Sequence, residues 1–491
     1  MVSFFCDNSR RIVAVQSSDS LDSKDVQSLC WLFGDAHALS ETTLPGFFVG
    51  PRREMVSPWS TTSVEIAQNM NVSGIERMEF FTPVESSAAP FDPMLQEMYH
   101  GLNDTVFSID RTPEPIRYVE DIESYNQQEG LALSADEIDY LEAVSVNIGR
   151  KLSDSELFGF SQVNSEHCRH KIFNGRFVID SEEKSSTLFQ LIKRTSKEHP
   201  NLIVSAYKDN CAFVQGPKEN LFFQPASGDK PDLFTTVTEE TILSLKAETH
   251  NFPTTVEPFN GAATGSGGEI RDRMAGGKGS MPLAGTAVYM TSYPRFGSKE
   301  YRTVEMNRPW ESFPPRKWLY QSPEEILTKA SNGASDFGNK FGQPLICGSL
   351  LTFEHIEGTK KFGFDKVIMM AGGVGYARKR DAQKEAPAAG DKVVLLGGDN
   401  YRIGMGGGAV SSVATGQYNN AIELNAVQRS NPEMQKRVFN AIRALTEQSR
   451  NPIVSIHDHG AGGHLNCLSE LLEATGGIID IAKLNVLTAK T

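Results

Sequence analysis

A lysine, a glutamate and a histidine, each two residues apart, stand together in ILSLKAETHN (242–251). Read as a β-strand, this segment alternates its side chains between two faces. Lys246, Glu248 and His250 then share one face, while Leu243, Leu245 and Ala247 point to the core on the other. An ammonium, a carboxylate and an imidazole in one row suit a polyphosphate and its divalent metal. The carboxylate oxygen is a hard ligand for Mg²⁺, and the lysine offsets phosphate charge. A solvated face with an incidental salt bridge would read the same way, and the segment alone leaves both open.

GAATGSGGEIRDRMAGGKG (261–279) follows closely. Glycines let backbone N–H groups approach phosphate oxygens, above all at a helix N-terminus. The charged run Glu269, Arg271, Asp272 comes directly after them. No Gly-Lys-Ser/Thr stands at the Walker A offset, and the strand and ribose-binding acid of the dinucleotide fingerprint are absent. A mobile glycine-rich loop is the plain alternative, and the charged run favours nucleotide and metal binding over it. A second cluster, GGDNYRIGMGGGAVSS (397–412), follows the strand-like KVVLLGG (392–398) and suits either phosphate contact or close domain packing. In IVSIHDHGAGGHLNCLSELLEA (453–474), a strand ending at His457 and Asp458 is expected to meet a helix beginning near His464. Asp458 would then sit at a strand's C-terminal end beside a helix N-terminus, the usual ligand position in α/β sheets. Metal ligand and structural turn are equally open there.

Two histidine clusters invite a zinc reading: His167, Cys168 and His170, then His457, His459, His464 and Cys467. Structural zinc takes about four N/S ligands, usually with paired cysteines, and no C-x-x-C pair exists, so Mg²⁺ is the better reading. Cys168 beside His167 is weak evidence for a thiol nucleophile, because adjacent side chains rarely face one another.

The elements that must position these residues are legible in outline. To about residue 120, RIVAVQ (11–16) and IERMEFFTPV (75–84) read as strands and 23–33 and 60–70 as helices, a small α+β module without evident chemistry. Ser134 with Glu137, and Ser153 with Glu156, are capping boxes that open two helices. The second delivers SQVNSEHCRHKIFNG (161–175). Strands and glycine-rich turns alternate from about 202 to 377, and KRDAQKEAPAAGDK (379–392) has the composition of an inter-domain linker. The last unit ends at LNVLTAKT with no closing strand, which suggests a truncated chain. Over 491 residues, 48 Lys+Arg face 61 Asp+Glu, a formal charge of −13. That acidic balance argues against nucleic acid or an anionic membrane as partner. No apolar run reaches the ~20 residues of a membrane span. Asp7 interrupts the N-terminus too early for a signal peptide, and six scattered cysteines suit a cytoplasmic setting.

SEHCRHKIFNG, LKAETHNFPT, GAATGSGGEIRDR and SIHDHGAGG, in this order, resemble the large form of phosphoribosylformylglycinamidine synthase, the FGAR amidotransferase family. GNKFGQPLICGS (338–349) and AVQRSNPEMQ (426–435) fit the same pattern, and the resemblance covers nearly the whole chain. His170 and Phe252 stand where the family's small form has Tyr and His, as in the large form. The resemblance implies an α+β, multidomain fold: an N-terminal module (1–125), a helical linker (126–200), and mixed-sheet synthase subdomains of the aminoimidazole-ribonucleotide-synthetase-like type (201–378, and 390–491 incomplete). A second synthase half and a glutaminase would be missing partners.

It further implies an ATP-dependent conversion of formylglycinamide ribonucleotide to formylglycinamidine ribonucleotide in purine biosynthesis, with ammonia from glutamine and an iminophosphate intermediate. His167 and His250 would be catalytic, and Lys246 would hold ATP phosphates. Gly261, Ala262, Ala263, Thr264, Gly265, Ser266, Gly267, Gly268, Glu269, Ile270, Arg271 and Asp272 would form the nucleotide segment. Thr249, His250, Asn251, Phe252, Arg271 and Gln428 would line the ribonucleotide site, and Glu248, Asp272 and Asp458 would bind Mg²⁺. Two other readings remain: a related ATP-dependent small-molecule kinase, against which SEHCRHKIFNG argues, and a non-catalytic scaffold fragment whose site needs a missing half.

Overall fold

A computed structural model describes residues 1–53, 56–91, 96–109, 115–131, 133–164, 170–223, 233–295, 321–397, 431–460 and 463–480. Met1–Glu114 makes one compact unit, and the described residues from Pro115 onward make a second.

In the first unit, β1 (Val2–Cys6), β2 (Ile12–Ser17), β3 (His37–Ala38), β4 (Leu44–Pro51), β5 (Ile75–Val84) and β6 (Gln96–Leu102) form an antiparallel sheet in the order β3-β1-β2-β5-β4-β6. Strand alternation divides its apolar residues between two cores. Phe5, Val13, Val15 and Met78 pack with Leu29 of α1 (Ser23–Leu32) and Ala67 of α2 (Pro58–Asn69). Phe4, Ile12, Ala14 and Phe81 pack with Phe48 and Tyr99. The expected small α+β module is therefore present.

The second unit opens on α3 (Ile122–Glu129), α4 (Ala135–Ile148) and α5 (Asp154–Val163). Both expected capping boxes form, Ser134 with Glu137 and Ser153 with Glu156. Gly149 ends α4 at φ 72°, a conformation that favours glycine. Leu131, Leu133, Leu141, Leu152 and Leu157 bind these helices together. Then come α6 (His170–Asn174), the small ribbon β7 (Val178–Ile179) and β8 (Glu182–Glu183), and α7 (Leu188–Glu198).

The main sheet is mixed. Its strands are β9 (Ile203–Ser205), β10 (Ala212–Phe223), β11 (Thr235–Thr249), β12 (Met281–Thr291), β13 (Leu345–Thr352) and, after the ribbon β14 (Glu354–Glu357) and β15 (Lys360–Gly363), β16 (Ile368–Arg378). The order is β13-β12-β16-β11-β10-β9, with β12 and β13 parallel and the other pairs antiparallel. Three helices are tied to this sheet: α8 (Asn251–Val256), α9 (Pro258–Met274) and α10 (Pro323–Phe341). Ala287, Tyr289, Met369 and Ala371 pack there against Ala262, Ile326, Ala330 and Ala334. On α11 (Pro432–Thr446), Phe439 and Ile442 close a further core with Phe337, Phe341 and Met274. A last helix, α12, spans Gly463–Leu471.

Three expectations are corrected. The covered face of β11 carries Ser244, Lys246 and Glu248, whereas Leu245 is 40% exposed and Ala247 is exposed. Leu243, Leu245, Val288, Met290, Met370 and Val374 share the opposite face, each exposed or half-buried. The apolar core on the helix side comes from β12 and β16, so β11 supplies it with charged groups instead. Neither 392–397 nor 453–458 is a strand, because no described residue pairs with them as a neighbour; Val393 and Val394 are exposed. The 379–392 segment is no free linker at its start: Asp381 and Ala382 are buried and Lys384 is ion-paired to Asp209.

Helix α9 approaches α10 and α8 so closely that only glycine fits at one point against each. A Cβ on Gly333 would stand 2.0 Å from the Phe259 carbonyl oxygen, and one on Gly261 would stand 2.3 Å from the Pro253 backbone. Glycine is disfavoured inside helices by roughly 1 kcal/mol, and packing offsets that cost. Gly261→Ala and Gly333→Ala should each destabilise the chain by about 2 kcal/mol through overpacking. Urea unfolding checks this, and an unmoved midpoint contradicts it.

Candidate functional site

The glycine-rich stretch expected as a loop is the interior of α9, with its N–H groups engaged in the helix ladder, so the segment's glycines serve packing. Positions 261, 265, 268 and 272 recur at helical spacing and share one stripe. That stripe runs along the end of β11. The Gly261 carbonyl meets His250, and a Cβ at Gly265 would lie 3.1 Å from the His250 Cβ. At Gly268 a Cβ would lie 3.2 Å from Glu248 Oε2, and Asp272 reaches Lys246.

His250 follows β11 directly and caps α8. Its Nδ1 lies 2.6 Å from the Gly261 carbonyl oxygen. A carbonyl only accepts, so Nδ1 carries the proton and Nε2 keeps its lone pair. Burial lowers the imidazole pKa, and Arg271 adds to that, against the opposing pull of Glu248 and the Gly261 bond. The ring is thus held neutral, with one nitrogen able to take a proton.

Lys246 Nζ is 2.5 Å from Asp272 Oδ2. Burial raises the Asp272 carboxyl, and the charges of Asp458 and Glu248 raise it further against Lys246. For Lys246, burial works downward, but Asp272 and Glu248 outweigh it and hold the ammonium charged. Glu248 Oε2 is buried without a hydrogen-bond partner. Arg271 Nε lies 3.7 Å from Asp458 Oδ2, and Asn210 Nδ2 donates to Asp458 Oδ1 at 3.1 Å. The result is a half-buried edge of the sheet where three carboxylates stand beside two cations and one carboxylate oxygen is unanswered. Such an edge can receive a cation, and Lys246 and Arg271 can receive an anion attached to it.

Other expected site residues lie elsewhere. Thr249 is exposed on the open sheet face. The Phe252 side chain is core, 1% exposed, and Ala262, Ala263 and Ile270 are core as well. Thr264 and Ser266 are buried. Glu269 is buried in an ion pair with Arg273, which also meets Gln343. Asn251 Oδ1 accepts from the Met369 N–H at 3.0 Å. Gly267 gives its carbonyl to Gln435 of α11. His167, Cys168 and Gln428, with 398–412, lie outside the described residues.

The second histidine cluster is hydrogen-bonded in pairs: His459 Nε2 with His464 Nδ1 at 2.9 Å, and His457 Nε2 with Ser455 Oγ at 3.0 Å. Among the described residues, no three His, Cys, Asp or Glu side chains are grouped to hold a metal ion. Glu248, Asp272 and Asp458 share an electrostatic neighbourhood without forming a closed cage. Sequence reasoning missed Asn210 and Gln435. The polar Asp209–Asn210 pair directly before an apolar strand was the only signal for the first.

Comparison with known proteins follows the same course along the chain. The formylglycinamide ribonucleotide amidotransferase N-terminal model matches residues 10–107, and the linker-domain model of the same name matches 122–171. The model of the AIR synthase related protein C-terminal domain matches 388–490. Among solved structures, T. maritima PurL complexed with FGAR is similar at 22% identity over 68% of this chain and 41% of that one, with a TM-score of 0.40. T. maritima PurL complexed with ATP gives 20%, 68%, 40% and 0.34. PurLQS from T. maritima gives 19%, 68%, 39% and 0.35. The chain thus spans about two fifths of the length of these relatives.

Two measurements test this geometry. Removing the unanswered charge by Glu248→Gln should stabilise the ligand-free chain by about 1 kcal/mol; a lower melting temperature would contradict it. His250 has a folded pKa below its ordinary 6.5, so below that pH the unfolded chain binds more protons and stability falls as pH falls. Urea midpoints at pH 7.5 and 5.5 should differ less in His250→Gln than in the wild type, and equal slopes would count against the neutral imidazole.

Proposed function

This chain belongs to the formylglycinamide ribonucleotide amidotransferase family, and we propose that it supplies nucleotide-binding and acid–base groups for making formylglycinamidine ribonucleotide in purine biosynthesis. The reaction consumes formylglycinamide ribonucleotide, ATP and ammonia from glutamine. The observation that carries this reading is the half-buried row of Lys246, Glu248 and His250 facing Asp272 and Arg271, with Asp458 behind Arg271.

An amide oxygen is a poor leaving group. Transfer of the ATP γ-phosphoryl group to it forms an O–P bond, releases ADP and sheds the amide N–H proton, giving an iminophosphate. Ammonia then attacks the iminophosphate carbon, and phosphate departs with the former amide oxygen, leaving the amidine. Lys246 would neutralise charge on the transferred group. His250 Nε2 would take the proton that the attacking nitrogen sheds, a role suited to a neutral imidazole. Arg271 would hold the ribonucleotide phosphate or the nucleotide, with Asn251, Thr249, Phe252 and Gln428 proposed beside it and His167 as the second catalytic histidine.

The donor set fits Mg²⁺, which uses hard oxygens and needs only one or two carboxylates beside substrate phosphates. Glu248, with its unanswered buried oxygen, Asp272 and Asp458 would hold it. Bound there, Mg²⁺ would neutralise phosphate charge.

We assign the module, linker and two synthase subdomains to 1–125, 126–200, 201–378 and 390–491. The free thiols of Cys6, Cys30, Cys211, Cys347 and Cys467 support a cytoplasmic setting, and no described helix is long and apolar enough to cross a membrane. The open apolar face of the main sheet supports a second reading for this chain alone. Its site would be incomplete until a second synthase half covers that face, with a glutaminase delivering ammonia.

In an enzyme that carries this chain beside such a half, formylglycinamide ribonucleotide labelled with ¹⁸O at the amide should pass the label to inorganic phosphate. His250→Ala should lower ammonia-dependent turnover at least ~100-fold. Label retained in the organic product removes the iminophosphate, and undiminished turnover removes His250 from the chemistry.

A further inference from the structure

Asp458 reaches the cluster from a segment that forms no strand in the described residues, so something else must fix its carboxylate. Two residues just before β10 do so. Asp209 is a turn residue whose side chain answers three donors: Lys384 Nζ at 2.7 Å, the Gly277 N–H at 2.8 Å and the Asn210 N–H at 2.8 Å. Gly277 belongs to the turn that follows α9, and Lys384 to the segment after β16. The neighbour of Lys384, Glu385, gives its N–H to the Val454 carbonyl at 3.0 Å, four residues before Asp458. Asn451 adds a bond from Nδ2 to the Lys278 carbonyl at 2.9 Å. The turn is thereby held rigidly against both the end of α9 and the chain leading to Asp458.

From this turn Asn210 extends its amide 3.1 Å from Asp458 Oδ1, while Asp458 Oδ2 faces Arg271 Nε at 3.7 Å. An amide N–H is the neutral donor that can sit beside three carboxylates without adding charge to them. It occupies one oxygen of Asp458 and fixes the direction of the other. We propose that Asn210 is a positioning residue: by holding Oδ1 it aims Oδ2 of Asp458 at the divalent metal of a metal–nucleotide complex bound beside Glu248 and Asp272. This rests on the nucleotide site proposed above and adds to it a residue that touches neither nucleotide nor metal.

Groups of this kind set metal affinity through the ligand they orient, and their loss typically weakens it ~10-fold or more. The test measures ATP affinity of the full chain by equilibrium dialysis, with excess Mg²⁺ and again with EDTA. Asn210→Ala, and the shape-preserving Asn210→Asp, should each weaken Mg²⁺-dependent binding about tenfold. For Asn210→Ala, affinity in EDTA and the melting temperature should stay near wild type, which a merely structural role would not predict. In an Asp458→Asn background, Asn210→Ala should have no further effect, because the residue acts through that carboxylate. Unchanged Mg²⁺-dependent affinity in both single variants, equal weakening with and without Mg²⁺, or full additivity with Asp458→Asn would overturn the positioning role and leave the nucleotide site standing. Wild-type chain that binds no ATP under either condition would overturn the nucleotide site and this inference with it.

Discussion

Helix α9 lies along the end of β11 with a stripe of small residues, and that close approach governs the site. Gly261, Gly265 and Gly268 leave room for His250 and Glu248, and Asp272 completes the stripe at Lys246. Bringing these groups together under a helix is costly, because buried charge must be paired and hydrogen-bonded to be tolerated. Lys246 pairs with Asp272 and Arg271 lies beside Asp458, so the third carboxylate, Glu248, keeps an unanswered oxygen. The structure therefore holds an excess of negative charge at a place where the backbone is closely packed and cannot relax. A protein that keeps such a cluster gains most from a cation brought in with a ligand, which is where stability and function pull in opposite directions.

The rest of the second unit supports that contact. Arg273, fully buried, is tied to Glu269 and Gln343 and holds the far side of α9 against α10 and the sheet. Gln435 reaches the Gly267 carbonyl and fastens α11 to the same helix. Asp209 gathers the turn after α9 and the segment after β16 around one carboxylate. The stripe thus has little freedom to widen, and a larger residue on it would have to displace His250 or Glu248.

Local signals in the sequence carried further than tertiary ones. Both capping boxes, the start of α12 near His464 and the strand at 75–84 lie where residue types demand them, since caps and alternation act within a few residues. The common face of Lys246, Glu248 and His250 was equally legible, because strand alternation fixes it. Which face is buried was not: Leu243 and Leu245 read as core, yet β12 and β16 supply the core on the other side. The glycines of 261–268 read as a loop because helix propensity disfavours them, and packing against Pro253, Met369 and Phe337 overrode propensity. Asn210 could not be found by motif, since its role exists only through a contact with Asp458 across 248 positions of chain.

The carboxylate cluster around Glu248 is proposed as a seat for metal-bound nucleotide. Calorimetric titration of Mg·ATP into the wild-type chain, beside Glu248→Ala, addresses it directly. Saturable, Mg²⁺-dependent binding in the wild type that is lost in Glu248→Ala is the result this account predicts. Equal binding by both chains would contradict it, as would no binding by the wild type, which would make the chain a scaffold whose site needs another half.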